Sequence, residues 1–391
     1  MENVSSSNGL EKYPKLRFPG FDEPYMECRI GDIYSERSQR GADDMELLSV
    51  TLNDGVMPRS EIEGKDNSSE DKSNYKVVCK GDMVYNSMRM WQGANGVSDY
   101  DGIVSPAYTV LMPNKEIDNR YFASLFKTPN LINEFRKYSQ GLTSDTWNLK
   151  YPQIRSIRLY IPSLQEQHKI SVFISTLEER IGIQRQLVDS LKKYKRGLLS
   201  HLFSEKSTQR CTTKRYYFSE IAQRRSEKYY PSSGIEYPCV ELENIEQESG
   251  KILATVPSIK QGSIKNIARP GDTLFGKLRP YLRKYAFAEQ MMVCSSEIWT
   301  LIPSDVVLPK FLFYLTQTEQ FLQVANISSG TKMPRAEWSN IEKAEFFIPD
   351  FSVQHKAVSL LERVDKKITY TDSVLIYLKG LKTGLMQKLF I

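Results

Sequence analysis

Two stretches of the chain set apolar residues at alternating spacings of three and four. The first runs through Ile170, Ile174, Leu177, Ile181, Gln184, Val188, Leu191, Lys195, Leu198 and Leu202. The second runs through Ala357, Leu361, Val364, Ile368, Thr371, Leu375, Leu378, Lys382, Leu385 and Leu389. Such spacing is the seam of a coiled coil, so it predicts two long helices that each need a long partner. The polar seam residues fall at matching places, Gln184 with Thr371 and Lys195 with Lys382. A polar seam position lowers stability but fixes register, so matched breaks predict that the helices pair with each other or show equivalent faces to equivalent partners. Pro162 and Pro349 keep either helix from starting much earlier. A helix from Pro162 to Phe203 would span about 60 Å.

The segments before these helices have a different pattern. Tyr75–Cys79, Gly102–Ser105, Tyr108–Met112, Asp272–Phe275, Val293-Cys294 and Glu297–Ile302 are rich in β-branched and aromatic residues and broken by Gly, Pro and Asn, which predicts short strands. Arg120–Phe126 and Phe311–Leu315 are predicted helices, and the charged run Glu61–Lys72 is a solvated loop. An α+β fold follows.

The chain also repeats itself. Ile161-Pro-Ser-Leu-Gln-Glu-Gln-His-Lys-Ile170 returns as Ile348-Pro-Asp-Phe-Ser-Val-Gln-His-Lys-Ala357, and the run Leu191–Phe203 returns as Leu378–Phe390 in the same register. Upstream, Gly81-Asp82 matches Gly271-Asp272, Arg89 falls on Arg279, and Ser49–Asn53 matches Cys239–Glu243. A duplication over nearly the whole length predicts two variable domains, each followed by a similar helix. The boundaries are 1–160 and 206–347 for the domains, and 161–205 and 348–391 for the helices.

With 391 residues, 40% apolar and 26% charged, two ordinary cores can form without metals or disulfides. The five cysteines, Cys28, Cys79, Cys211, Cys239 and Cys294, are scattered with no C-x-x-C pair and read as reduced thiols of a cytoplasmic protein. The first residues carry neither a basic nor an apolar region, and no window is apolar for long enough to span a bilayer, so neither secretion nor membrane insertion is expected. A net charge of +6 permits an anionic partner without demanding one.

The common catalytic signatures are missing. There is no phosphate-gripping G-x-x-x-x-G-K-S/T loop, and no Asn or Asp followed by two prolines of the kind DNA amino-methyltransferases carry. Pro349-Asp350 with Asp365-Lys-Lys367 resembles the carboxylate and lysine layout of metal-dependent nucleases. However, Asp365 and Lys367 belong to a helix where such sites use a strand, and the first copy has Ser163 in place of Asp350. His168 and His355 stand at matching helix starts without a metal-ligating cluster, which fits surface or interface positions.

Candidate nucleic-acid contacts are clearer. Lys277-Leu-Arg-Pro-Tyr-Leu-Arg-Lys284 sets Lys277, Arg279, Arg283 and Lys284 in eight residues without an acid, a loop able to grip phosphates and reach guanine edges. The first copy keeps Arg89 beside Asn86. Ser328–Arg335, with Lys332 and Arg335, and the looser match Ser139–Ser144, with Thr143, offer close backbone approach to a phosphate. Arg224, Arg225 and Lys228 form a further group.

Taken in order along one duplicated chain, several stretches resemble the specificity subunits of type I restriction-modification systems. They are Pro14–Pro19, Lys80–Arg89, Asp101–Tyr108, Pro162–Ile170 and Gly197-Leu-Leu. The resemblance implies two target-recognition domains of mixed sheet and helix, each reading one half of an interrupted, asymmetric duplex DNA site, separated by two long helices forming an antiparallel coiled coil. It implies two modification subunits docked on the helices, with Ile170, Ile174, Leu177, Ile181, Val188, Leu191, Leu198, Leu361, Val364, Ile368, Leu375, Leu378 and Leu385 as seam and docking residues, and restriction subunits beyond them. S-adenosylmethionine, ATP and magnesium would belong to those partners, and this chain would hold no cofactor and catalyse nothing. The alternatives are a nuclease or methyltransferase acting alone, and a coiled-coil scaffold that does not bind DNA. The second copy departs from the pattern, with Ser-Val before Gln-His-Lys and Ser295-Ser-Glu-Ile-Trp299 in place of Ser-Pro-Ala-Tyr.

Overall fold

A computed structural model describes residues 12–391 apart from 41–43, 53–54, 65, 67, 144–145, 205–212 and 328–332. The chain divides into two compact units, Met1–Gln184 with Val374–Ile391, and Arg185–Ser373. Both predicted long helices form, Leu164–Leu202 and Phe351–Leu389, each of 39 residues and each starting two residues after its proline. None of the described helices is long and apolar enough to cross a membrane.

The first unit holds a four-stranded antiparallel sheet in the order Tyr34–Glu36, Tyr108–Pro113, Met83–Asn86, Asn95–Val97. Met26–Arg29 pairs with Arg158–Ile161, the strand that leads into the first long helix. Its core is aromatic: Tyr34 meets Phe122, Phe122 meets Phe126 and Phe126 meets Phe135, at ring separations of 5.5–6.4 Å. Ile170 and Ile174 of the first long helix join this core together with Met386, Leu389 and Phe390 of the second. Glu178 pairs with Lys382 further along, so the two helical segments run antiparallel here.

The second unit repeats the plan. Ala222–Arg224, Ile298–Pro303, Thr273–Gly276 and Tyr285–Phe287 make the matching four-stranded sheet, and Thr213–Tyr217 pairs with Glu345–Pro349. A five-stranded sheet beside it contains one parallel pairing, Pro238–Val240 with Met292–Cys294. Leu199 and Phe203 share a core with Ala357 and Leu361, and Lys195 pairs with Asp365 at 2.7 Å, again an antiparallel arrangement. The ion pairs Glu178–Lys382 and Asp365–Lys195 join residues that are equivalent in the repeat, and this gives the lysines in the seam their purpose. At the end of the first helix the buried positions are Leu199 and Phe203, with Leu198 and Leu202 half-buried. Phe203 there packs on Phe311 of the short helix Pro309–Leu315 at 4.6 Å, so the buried face turns toward the sheet. Of the other seam residues, Ile181, Val188, Leu361, Val364, Leu375 and Leu378 are buried, and Leu177, Leu191, Ile368 and Leu385 are half-buried.

Two repeated motifs have structural reasons. Gly81 and Gly271 take φ of 95° and 96°, a conformation glycine adopts freely, and each precedes a buried aspartate. Asp82 accepts the fork of Arg37 at 2.7 and 3.0 Å and Asp272 that of Arg225 at 2.8 and 2.9 Å, and each also accepts a backbone N–H. The glutamine of each Gln-His-Lys triplet is buried. Gln167 accepts from Asp118 N and donates to Pro162 O; Gln354 accepts from Leu308 N at 2.8 Å and donates to Val306 O and Pro349 O. These amides tie the strand, the helix start and the loop before the preceding short helix into one joint. Gln354→Ala strands a partly buried backbone N–H and two carbonyls and is expected to cost about 2 kcal/mol in urea unfolding, whereas His355→Ala, at an exposed neighbour, leaves the midpoint unchanged.

Candidate nucleic-acid interface

In each unit the inner strand of the four-stranded sheet runs straight into a loop that the next strand closes. Asn86 N donates to Ala94 O at 3.0 Å in the first unit, and Gly276 N to Lys284 O at 2.8 Å in the second. A distant segment clips each loop at the same point, with Leu149 N bonded to Ser87 O and Ala336 N to Lys277 O. Ser87 therefore corresponds to Lys277 and Arg89 to Arg279, as the sequence register requires. Both arginines are exposed and open a single 3-10 turn, Met90–Gln92 or Pro280–Leu282.

The second loop is strained where the first is not. Arg279 and Arg283 lie in the left-handed region at φ 51° and 50°, which costs an L-residue about 1–2 kcal/mol each. Arg279 is held there by its N–H on Pro334 O at 2.8 Å, while Arg89 has φ −125°.

The cations of this loop face different partners. Arg335 forks onto Glu297 at 3.1 and 3.2 Å, with Lys277 4.0 Å from the same carboxylate, so Lys277 and Arg335 share one acid beside the Arg279 backbone. Arg283 forks onto Glu319 at 2.6 and 3.0 Å and lies 3.4 Å from Glu248, and Lys284 donates to Leu242 O at 2.6 Å. These carboxylates raise the guanidinium pKa of Arg283 and Arg335 above its usual value, chiefly by accepting hydrogen bonds at Glu319 and Glu297. The loop itself contains no acid, but Glu248, Glu297 and Glu319 reach it from elsewhere in the chain. In the first unit, Asn86 accepts Met88 N through its side chain, and the exposed Thr143 bonds Thr146. Lys332 lies outside the described residues.

Beside the loop, Arg224, Arg225, Lys228, Asn266, Lys277, Trp299 and Trp338 line a cleft of about 630 Å³. The Arg224 guanidinium lies 4.7 Å from the ring centre of Trp338 and 5.9 Å from that of Trp299. Sequence reasoning reached the cations of this cleft but not its two indoles, which come together only through the strand and helix pairing.

The residues that suggested catalysis have structural roles. Asp350 accepts the N–H of Val353 at the start of the second long helix, and Asp365 accepts Lys195 at 2.7 Å and the Tyr314 hydroxyl at 2.9 Å. Exposed His168 pairs with Asp118 at 3.0 Å. Burial pushes the thiols of Cys28 and Cys239 up to about 11 and that of Cys294 up to about 12, which disfavours a thiolate nucleophile near neutral pH. Among the described residues, no group of three or more His, Cys, Asp or Glu is placed to hold a metal ion.

Each long helix also carries a second apolar stripe that faces solvent. Phe173, Ile183, Leu187 and Tyr194 lie on the first, and Leu360, Tyr370, Tyr377 and Leu381 on the second, with Ile183 60% and Tyr377 68% exposed. Apolar residues repeating on an outer helical face mark a protein contact surface.

Comparison with known proteins adds to this geometry. The family model for the type I restriction modification DNA specificity domain matches residues 23–193 and again 220–377. The type I restriction enzyme HindI specificity subunit of Haemophilus influenzae is 28% identical over 138 residues, 33% of this chain and 30% of that protein. The MjaVIII specificity subunit of Methanocaldococcus jannaschii is 22% identical over 333 residues, 76% of each. The crystal structure of a type I restriction-modification S subunit from M. genitalium has the same fold, with a TM-score of 0.59 at 14% identity over 97% of this chain and 99% of that one. A chain from a structural study of type I restriction-modification complex assembly and conformational transition also gives 0.59, at 16% identity over 96% and 99%.

Proposed function

The chain belongs to the type I restriction-modification DNA specificity family, and on that premise we propose that it is the non-catalytic subunit that chooses the DNA sequence on which such a complex acts. The observation that carries this reading is the double match of the family model, one match on each unit, with an exposed arginine at the equivalent loop of each. Each target-recognition domain reads one half of an asymmetric, two-part duplex site. The arginine loops make the contact, with Arg89 and Asn86 in the first unit and Lys277, Arg279 and Arg335 in the second. Arg279 is the strongest candidate among them, because its conformation is imposed by the loop and no described residue takes up its donors. Arg283 and Lys284 are engaged internally and would act mainly by shaping the loop. Their different surroundings give the two halves different base preferences.

The long helices set the separation of the two halves and bind the modification subunits, which supply S-adenosylmethionine and the methyl transfer; restriction subunits with ATP and magnesium act beyond them. The exposed stripes support this docking role. Ile183→Asp and Tyr377→Asp, each placing a charge in such a contact, are expected to weaken capture of the modification subunit at least ten-fold while leaving thermal unfolding unchanged, measured by titration calorimetry or pull-down.

Duplex binding tests the recognition role directly. Affinity for a duplex should fall steeply with salt, as expected when Lys and Arg displace counterions, and one sequence should be preferred at every salt concentration. Binding that ignores both salt and sequence would favour a scaffold instead.

A further inference from the structure

The cleft of the second unit contains an arginine whose donors no described residue uses. Arg224 ends the strand Ala222–Arg224 and is exposed, with its guanidinium against Trp338 at 4.7 Å and Trp299 at 5.9 Å. The two indoles meet edge to face at 5.6 Å. Other arginines nearby are engaged: Arg225 on Asp272, Arg283 on Glu319 and Arg335 on Glu297. An arginine held over aromatic faces keeps its charge and its N–H donors while losing rotamer freedom, so little order remains to be imposed when a ligand arrives. Among the described residues no acid lines the cleft, and Lys228 and Lys277 add positive charge. Lys277 also belongs to the Arg279 loop, which makes the two surfaces continuous.

At the equivalent positions the first unit has other residues, although elsewhere in it Arg136 lies 5.6 Å from the ring centre of Trp91, which meets Trp147 edge to face at 5.3 Å. Glu36 faces Leu111 across its strand pair as Arg224 faces Leu301, so a carboxylate stands where the guanidinium does, 3.1 Å from Lys76 Nζ. Thr109 takes the register position of Trp299. Tyr151 opens the short helix that Trp338 opens in the second unit, and its hydroxyl donates to Tyr34 O.

Resting on the reading that this chain recognises duplex DNA, we propose that Arg224 reads a guanine in the half-site of the second unit, donating to O6 and N7 from a fork held by Trp338 and Trp299. Two N–H donors in one plane match the major-groove edge of guanine, and a lysine cannot reproduce that pairing.

The test uses the full chain in complex with its modification subunit. Duplex binding is measured on the recognised site and on every single-base variant of it, for wild type, Arg224→Ala, Arg224→Lys and Trp338→Phe. Both Arg224 variants should lose about ten-fold or more of the preference for guanine at one position in one half-site and keep all other preferences. Trp338→Phe, which keeps an aromatic face, should retain a reduced preference at that same position. Circular dichroism and thermal midpoints should be unchanged for the Arg224 variants, since the side chain is exposed. An equal loss on all sequences with a shallower salt slope would mark a phosphate contact and overturn the proposal, as would unaltered preferences at every position. If the wild-type complex itself shows no sequence preference, the DNA-recognition reading falls and this assignment with it.

Discussion

Arg17→Ala is expected to destabilise the first unit by about 3–5 kcal/mol, the largest single-residue effect anticipated for this chain. Glu166 is fully buried at the start of the first long helix, and its carboxylate is held by the Arg17 fork at 2.9 and 2.8 Å with the Tyr25 hydroxyl at 3.4 Å. Arg17 also lies over the Tyr25 ring at 5.3 Å. The segment carrying it is fixed by Leu16 N on Lys388 O at 2.9 Å and by Phe18 against Phe173 at 5.6 Å. Removing the guanidinium leaves a buried carboxylate with one weak donor, a far greater penalty than the loss of an exposed ion pair. The second copy has Val353 at the position of Glu166 and so no carboxylate there to form this clasp. Urea unfolding followed by circular dichroism checks the value, and Glu166→Gln in the Arg17→Ala background should restore most of the loss by removing the stranded charge. A loss under about 1 kcal/mol, or no restoration, would show that the pair is not the source of stability.

Arg279→Ala is expected to weaken recognition of the second unit's half-site by about 1–3 kcal/mol, roughly 5- to 150-fold, and to leave the other half-site as it was. The left-handed backbone at Arg279, held by Pro334 O, aims an exposed side chain that no described residue engages. Strained non-glycine residues persist where the surroundings over-determine them and often where function needs the geometry. Because the side chain is exposed, folding should be unaffected, and Arg279→Gly, which relieves the backbone strain, should lose binding equally. Competition binding with duplexes altered in one half at a time reads the effect. Equal losses on both halves would contradict the assignment of one half-site to each unit.

What could be read from the sequence was periodic or repeated. The seams announced both long helices because their spacing of three and four is legible along the chain itself, and runs such as Tyr108–Met112 and Glu297–Ile302 identified inner strands by local composition. The repeat placed Arg89 on Arg279 before any hydrogen bond was visible. The features that stayed hidden depend on residues far apart in the chain. Nothing near Asp82 points to Arg37 or near Glu166 to Arg17, and the acids that engage Arg283 and Arg335 lie 36 and 38 residues away. Gln167 and Gln354 stood in the repeat beside the histidines, and only burial shows that the amides join the elements in both copies, with His168 adding an exposed contact to Asp118 in the first. The arginine held by two tryptophans is the clearest case, since strand pairing and a helix start bring its three parts together.

Adenine methylation is to be mapped on a plasmid in cells that co-express this chain with the modification subunit from the same genome, and compared with cells lacking the chain. Methylation confined to one two-part, interrupted sequence, and present only with this chain, is the expected result. A stable complex that methylates without sequence preference, or a pattern unchanged when the chain is absent, would contradict its role as the subunit that selects the DNA site.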